Sequence, residues 1–343
     1  WVTDVSESHL TELVAASGNA LIIREEPVRY YPHGDSASHL LGFVNRAGEA
    51  SEGLELAFDR HLRSQSGRLL ARKDINRRLL PSGLLEYEEP EGGEMVQLTL
   101  DINMQHTLEH AVDRRMEEVG AVAGLGIIME AHTGAILALA SRPAFDPNQY
   151  DRFPAELRKN RALLDVFEPG SVFKIVTAAA ALETGIITKE TLIDCEGGAF
   201  NPYGHRIRDF YKLDVVPFWK AFERSSNIAF IKLAALLGPE RLEDWIRLFG
   251  FGESTSPDFQ FESRGLFRPR KEWSRLTMGS LPMGQEIAVT MPQLARAMAV
   301  IANGGYLVQP YFVEHAVSRR GEITYQYQPP PPQRILSAAT AHT

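Results

Sequence analysis

The sequence predicts an α+β fold with helices packed on an antiparallel sheet. Three observations predict it. An apolar strand-like run at 96–100 leads straight into a helix signal at Asp101. Two apolar runs within 125–140 flank a short polar turn. Helical patterns then dominate from 171 to 249. Strands and helices that occur in such runs, rather than in strict alternation, pack as segregated layers.

The elements justify themselves in order. Residues 1–94 are mixed, with glycines and charges interrupting short periodic runs. Residues 86–93 are acidic, carry Pro90 and end in Gly92-Gly93, and read as a linker. Two domains follow from this break, 1–94 and 95–343, in keeping with a length of 343 residues. Asp101 is the expected N-cap of the next helix. Along it Leu108, Val112, Met116 and Val119 recur at helical spacing and form one core-facing stripe. The runs 125–129 and 136–140 read as a hairpin, with His132-Thr133-Gly134 in its turn. Helices are expected at 175–183, 218–224 and 228–237. Pro329 to Pro332 is an exposed extended segment.

Composition excludes several function classes. The net charge of -8 argues against a nucleic-acid surface. No run of eighteen apolar residues is present, so nothing here reads as a membrane span. The chain opens on Trp1 rather than Met, so a natural N-terminus lies elsewhere. The single cysteine, Cys195, gives no disulfide framework and reads as structural. Cys-x-x-Cys does not occur, and no metal or other cofactor is expected. The glycines of 120–126 lack the lysine of a phosphate loop.

Phe167-Glu168-Pro169-Gly170-Ser171-Val172-Phe173-Lys174 carries the chemistry. Ser171 and Lys174 are three residues apart at the head of a helical run, so they share a face. A serine near neutral pH needs an adjacent base to become a nucleophile. A lysine whose ammonium is desolvated can be that base. Gly170 allows a tight entry that leaves Ser171 in the first turn, over the positive end of the helix dipole. Alone, this pair is as compatible with a solvated helix end.

A second element changes that weighing. Ser225-Ser226-Asn227 falls between two helical runs. A serine there can relay a proton, and an asparagine amide can both donate to and accept from a peptide. Ser-x-x-Lys with a later Ser-x-Asn is the start of a known transpeptidase and lactamase signature. Other candidates read as structural. Glu168 sets the local turn rather than serving as an acid. Trp219 and Phe222, at helical spacing, read as core. Arg206, Arg208 and Asp209 lie between the motifs with no role assignable.

With these motifs the chain resembles a class B penicillin-binding protein, a monofunctional peptidoglycan transpeptidase. The resemblance extends to Arg29-Tyr30-Tyr31-Pro32, to 37–43 (Ala-Ser-His-Leu-Leu-Gly-Phe), and to 52–59 followed by Leu62 and Gly67. It continues through Leu98-Thr99-Leu100-Asp101 with Gln105, Met283-Gly284-Gln285, Val289-Thr290, Gln293-Leu294-Ala295 and Ala302-Asn303-Gly304-Gly305. The N-terminal pieces look most like the division-specific septal branch.

The resemblance implies a serine–lysine transpeptidase fold at 95–343 and, at 1–94, part of a non-catalytic pedestal or dimerisation-type module of mixed α/β structure. It implies Ser171 as nucleophile, Lys174 as base, Ser225 as proton relay and Asn227 as substrate-binding residue. The implied substrates are peptidoglycan stem peptides ending in D-Ala-D-Ala, with β-lactams as inhibitors. Implied partners are a polytopic glycosyltransferase and other division proteins. An N-terminal anchor would hold an extracytoplasmic catalytic domain at the inner membrane. A hydrolase on the same fold (a carboxypeptidase or β-lactamase) and a catalytically silent division scaffold are the alternatives. The family's third motif, Lys-[Ser/Thr]-Gly, does not occur after Asn227; it is expected within a few tens of residues beyond Thr343, leaving the catalytic domain C-terminally incomplete.

Overall fold

The computed structural model describes residues 9, 12, 13, 16, 28–64, 68–73, 79–88, 92–204, 206–259 and 261–343. Trp1, Gly67 and Pro90 lie outside them. The architecture is α+β, as the element order predicts. Two strands, β1 (Arg68–Lys73) and β2 (Leu79–Glu88), pair antiparallel. β2 runs to Glu88, so the first residues of the expected linker are strand. β3 (Met95–Leu98) follows, shorter and one residue earlier than the expected run.

Helix α1 spans Ile102–Val119. Asp101 caps it, accepting from the backbone N–H groups of Asn103 and Met104 at 2.9 Å each. Its stripe packs on the hairpin formed by β4 (Gly124–Met129) and β5 (Ile136–Arg142). Gly124 and Gly126 make room for it, because a Cβ there would fall within 2.7 Å of Val112, Met116 or Leu108. Val119 departs from the expected stripe and is exposed, since the helix runs out past the hairpin at Gly120. Buried Gln105 ties the two layers together. Its amide donates to Leu139 O at 2.9 Å and accepts from Leu139 N at 2.9 Å.

Helix α2 (Lys174–Glu183) runs through the middle of the molecule. Ala178, Ala179, Ala180 and Ala181 are all buried, the pattern of a helix enclosed on every side. It separates two apolar clusters: Phe173, Val176 and Ala179 pack with Phe249, Phe251 and Val289, while Ala178 and Ala181 pack with Phe218, Phe230 and Leu233. Around it lie α3 (Phe218–Glu223), α4 (Asn227–Leu237), α5 (Pro239–Leu248) and α6 (Met291–Ala302). The two-residue strands β6 (Leu266–Phe267) and β7 (Ile287–Ala288) pair between them. β8 (Val313–Val317) returns to pair antiparallel with β3 and with β9 (Ile323–Gln326), giving the order β9-β8-β3. Pro329 to Pro332 is exposed and belongs to no helix or strand.

The N-terminal segment does not keep a core to itself. Leu40, Leu54 and Phe58 share one cluster with Ile136, Leu139, Leu163 and Phe312. Ser36 Oγ and Ala37 N donate to Glu109 of α1 at 3.1 and 2.9 Å. Among the described residues, no helix is long and apolar enough to cross a membrane.

Candidate functional site

The turn that presents Ser171 is clamped from outside by residues 284–289. Phe167 and Val289 exchange both backbone hydrogen bonds, at 3.0 and 2.9 Å. Gly170 N donates to Gly284 O at 3.1 Å, and Glu286 N donates to Glu168 Oε1 at 2.9 Å. Glu168 therefore holds the turn. Gly284 has φ 78°, and a Cβ there would sit 2.2 Å from Gly170 O, so only glycine lets the strands approach. Gly170 to Phe173 form a 3-10 turn that continues into α2. Phe173 is fully buried against Phe251, with ring centroids 5.2 Å apart, while Ser171 stays exposed.

Lys174, one turn inward, is 1% exposed. Its Nζ donates to Ser225 O at 2.7 Å, Ser225 Oγ at 2.9 Å and Asn227 Oδ1 at 2.8 Å. An ammonium has three protons, and all three are committed to the second motif rather than to Ser171. Burial pushes the amine down to about 8, against an opposing pull from the Asp209 carboxylate. An amine that loses one proton keeps two of these bonds and gains a lone pair.

The second motif is a junction between two helices. Ser225 N donates to Phe222 O at 2.8 Å and Ser226 N to Ala221 O at 2.9 Å, the paired bonds of a Schellman turn closing α3. Ser225 occupies its left-handed position, φ 53°, where glycine is usual. That conformation aims both its carbonyl and its hydroxyl at Lys174. Ser226, fully buried, then caps α4, accepting from Ala229 N at 3.1 Å.

Sequence reasoning left Arg208 and Asp209 without a place, and the structure puts both against this junction. Asp209 accepts from Ser226 Oγ at 2.5 Å, Asn227 N at 2.6 Å and Ile228 N at 3.2 Å. Asn227 Nδ2 donates to Arg208 O at 3.1 Å, so its amide is oriented from both ends. Arg206 is exposed. No spacing rule joins Asp209 to residues 226–228. Cys195 lies buried beneath, with Ser226 Oγ 3.5 Å from its sulfur, and burial pushes its thiol up, which fits a structural cysteine.

One expectation needs correction. Trp219 and Phe222 are not core; they are 47% and 39% exposed. In so short a helix Phe218 and Ala221 take the inward face, and Phe222 lies at its margin, stacked on Phe218 at 5.8 Å and tilted against Phe230 at 5.5 Å. His132-Thr133-Gly134 is the hairpin turn, as predicted. Glu130 accepts from His132 N and Thr133 N there, and hydrogen bonding, led by Thr133, holds its carboxyl down to about 2.

Comparison with known proteins agrees with this geometry. Residues 124–343 match the penicillin binding protein transpeptidase domain. The chain is 31% identical over 321 residues to penicillin-binding protein PbpB of Mycolicibacterium smegmatis, covering 93% of this chain and 49% of that protein. It is 29% identical over 321 residues to the peptidoglycan D,D-transpeptidase FtsI of Escherichia coli K12, covering 94% and 52%. The chain thus spans about half the length of these curated relatives. It superimposes on penicillin binding protein 3 from Mycobacterium tuberculosis, solved in complex with ampicillin, with TM-score 0.81 and 31% identity over 92% of this chain and 66% of that one. A domain match over more than half the chain, with relatives of this kind along almost all of it, means that the chain belongs to the penicillin-binding protein transpeptidase family, as a class B member of the FtsI type.

Proposed function

We propose that the protein is a septal peptidoglycan D,D-transpeptidase working through an acyl-serine. The observation that carries this reading is the buried Lys174 amine bonded to both Ser225 and Asn227, one turn from Ser171. In the first half-reaction Ser171 Oγ attacks the carbonyl between the two terminal D-alanines of a donor stem peptide. Neutral Lys174 takes the hydroxyl proton. Ser225 passes a proton to the departing D-alanine nitrogen as the C–N bond breaks. Asn227 orients the donor amide with its remaining Nδ2 proton. The Ser171 backbone N–H is one oxyanion donor, a contribution of about 3 kcal/mol. In the second half-reaction an amine of a neighbouring stem attacks the ester, forms the cross-link and returns the serine.

β-Lactams acylate the same serine in this account, in line with the ampicillin complex of the mycobacterial relative. Residues 1–94 act as part of a pedestal module ahead of the catalytic domain at 95–343. A polytopic glycosyltransferase and other division proteins are the partners, with catalysis outside the cytoplasmic membrane. The test is incubation of the full-length protein with donor and acceptor stem peptides. Cross-linked dimer with released D-alanine supports the reading. Release of D-alanine without dimer marks a carboxypeptidase, and no release with no penicillin labelling marks a scaffold.

A further inference from the structure

We propose that Asp209 is a positioning residue for this acyl transfer: its carboxylate fixes the second-motif turn and supplies the fixed charge that acts on the Lys174 amine. The proposal rests on the transpeptidase reading of the site.

The geometry has two parts. Both carboxylate oxygens are engaged, one by Asn227 N and Ile228 N, the other by Ser226 Oγ. The first two donors are orphan N–H groups at the start of α4, where a negative charge also meets the positive end of the helix dipole. Asn227 in turn accepts from Lys174 through its side chain. Carboxylate and amine are thus joined through a single intervening residue.

The surroundings make that charge count. The groups facing Lys174 Nζ from α4 and the turn before it are Ser225 O, Ser225 Oγ, Asn227 Oδ1 and the Phe230 ring, 5.5 Å away. All are neutral. The Cys195 thiol is reached from Asp209 through Ser226, and Lys232, which also acts on that thiol, has its charge paired with Glu196 at 2.7 Å. A charge in a buried setting acts over several ångströms with little screening. Burial drives Lys174 toward the neutral amine, and Asp209 works against it. Removing the charge while keeping the hydrogen-bond acceptor should make the amine neutral at lower pH.

The experiment is the pH dependence of penicillin acylation for the full-length wild type, Asp209→Asn, Asp209→Ser, Asp209→Glu and Ser226→Ala, with a melting temperature for each. The acid limb should move to lower pH by about one unit in the two neutral variants, the size of a single-charge effect. It should stay at the wild-type position in Asp209→Glu and in Ser226→Ala, although Ser226→Ala loses stability. A limb unmoved in either folded neutral variant overturns the proposal. Unfolding of both does so too, because Asp209 would then be structural alone. A wild type that is not acylated at any pH would instead overturn the transpeptidase reading.

Discussion

Lys174 Nζ donates to Ser225 Oγ at 2.9 Å across 51 positions of sequence. The left-handed backbone of Ser225 makes this possible, because it turns the hydroxyl and the carbonyl toward the same amine. Lys174 and Ser225, the proposed base and proton relay, are therefore already in contact.

Lys174→Arg should be nearly as damaging as Lys174→Ala. Arginine is never neutral in a protein, and its planar fork does not match three acceptors set around one nitrogen. Penicillin acylation should fall by about 100-fold or more in both variants, the lower range for a lost general base. Substantial activity in the arginine form would make the lysine's role electrostatic.

Acylation should rise with pH through about 8, where Lys174 loses its proton. The sign follows from burial, which disfavours the ammonium and brings the titration down from the usual lysine range. Stopped-flow acylation across neutral and alkaline pH checks it. A flat profile would show that the amine is neutral throughout, or not the base.

Ser225→Gly should separate stability from activity. A left-handed L-residue costs roughly 1–2 kcal/mol, and glycine relieves it. The melting temperature should rise or hold while acylation falls sharply with the lost hydroxyl. Loss of stability in this variant would mean that the Lys174 bond outweighs the backbone strain.

Gly284→Ala should act on the nucleophile without touching it. The new Cβ would meet Gly170 O and force the clamp open. A destabilisation of about 1–3 kcal/mol is expected, as for other overpacked sites, with slower acylation. Calorimetry and acylation rates should fall together.

What the sequence made legible was local. Ser171 and Lys174 could be paired because three residues on a helix turn fix their shared face. Asp101 could be named a cap because its partners are two and three residues away. Asp209 could not be placed, since its partners lie 17 to 19 residues on and their approach depends on how the intervening loop folds. The backbone of Ser225 was hidden for a related reason: the serine stands where composition rules expect glycine. Trp219 and Phe222 misled because helical spacing tells which residues share a face, not which face turns inward.

The most direct test of the central claim is intact-mass spectrometry of the full-length protein after exposure to penicillin, wild type beside Ser171→Ala. Ser171 is exposed and supports no part of the core, so the variant should keep its stability within about 1 kcal/mol. The account predicts one covalent adduct of the full penicillin mass on the wild type and none on the alanine variant. An adduct of equal yield on Ser171→Ala, or none on a folded wild type, would contradict it.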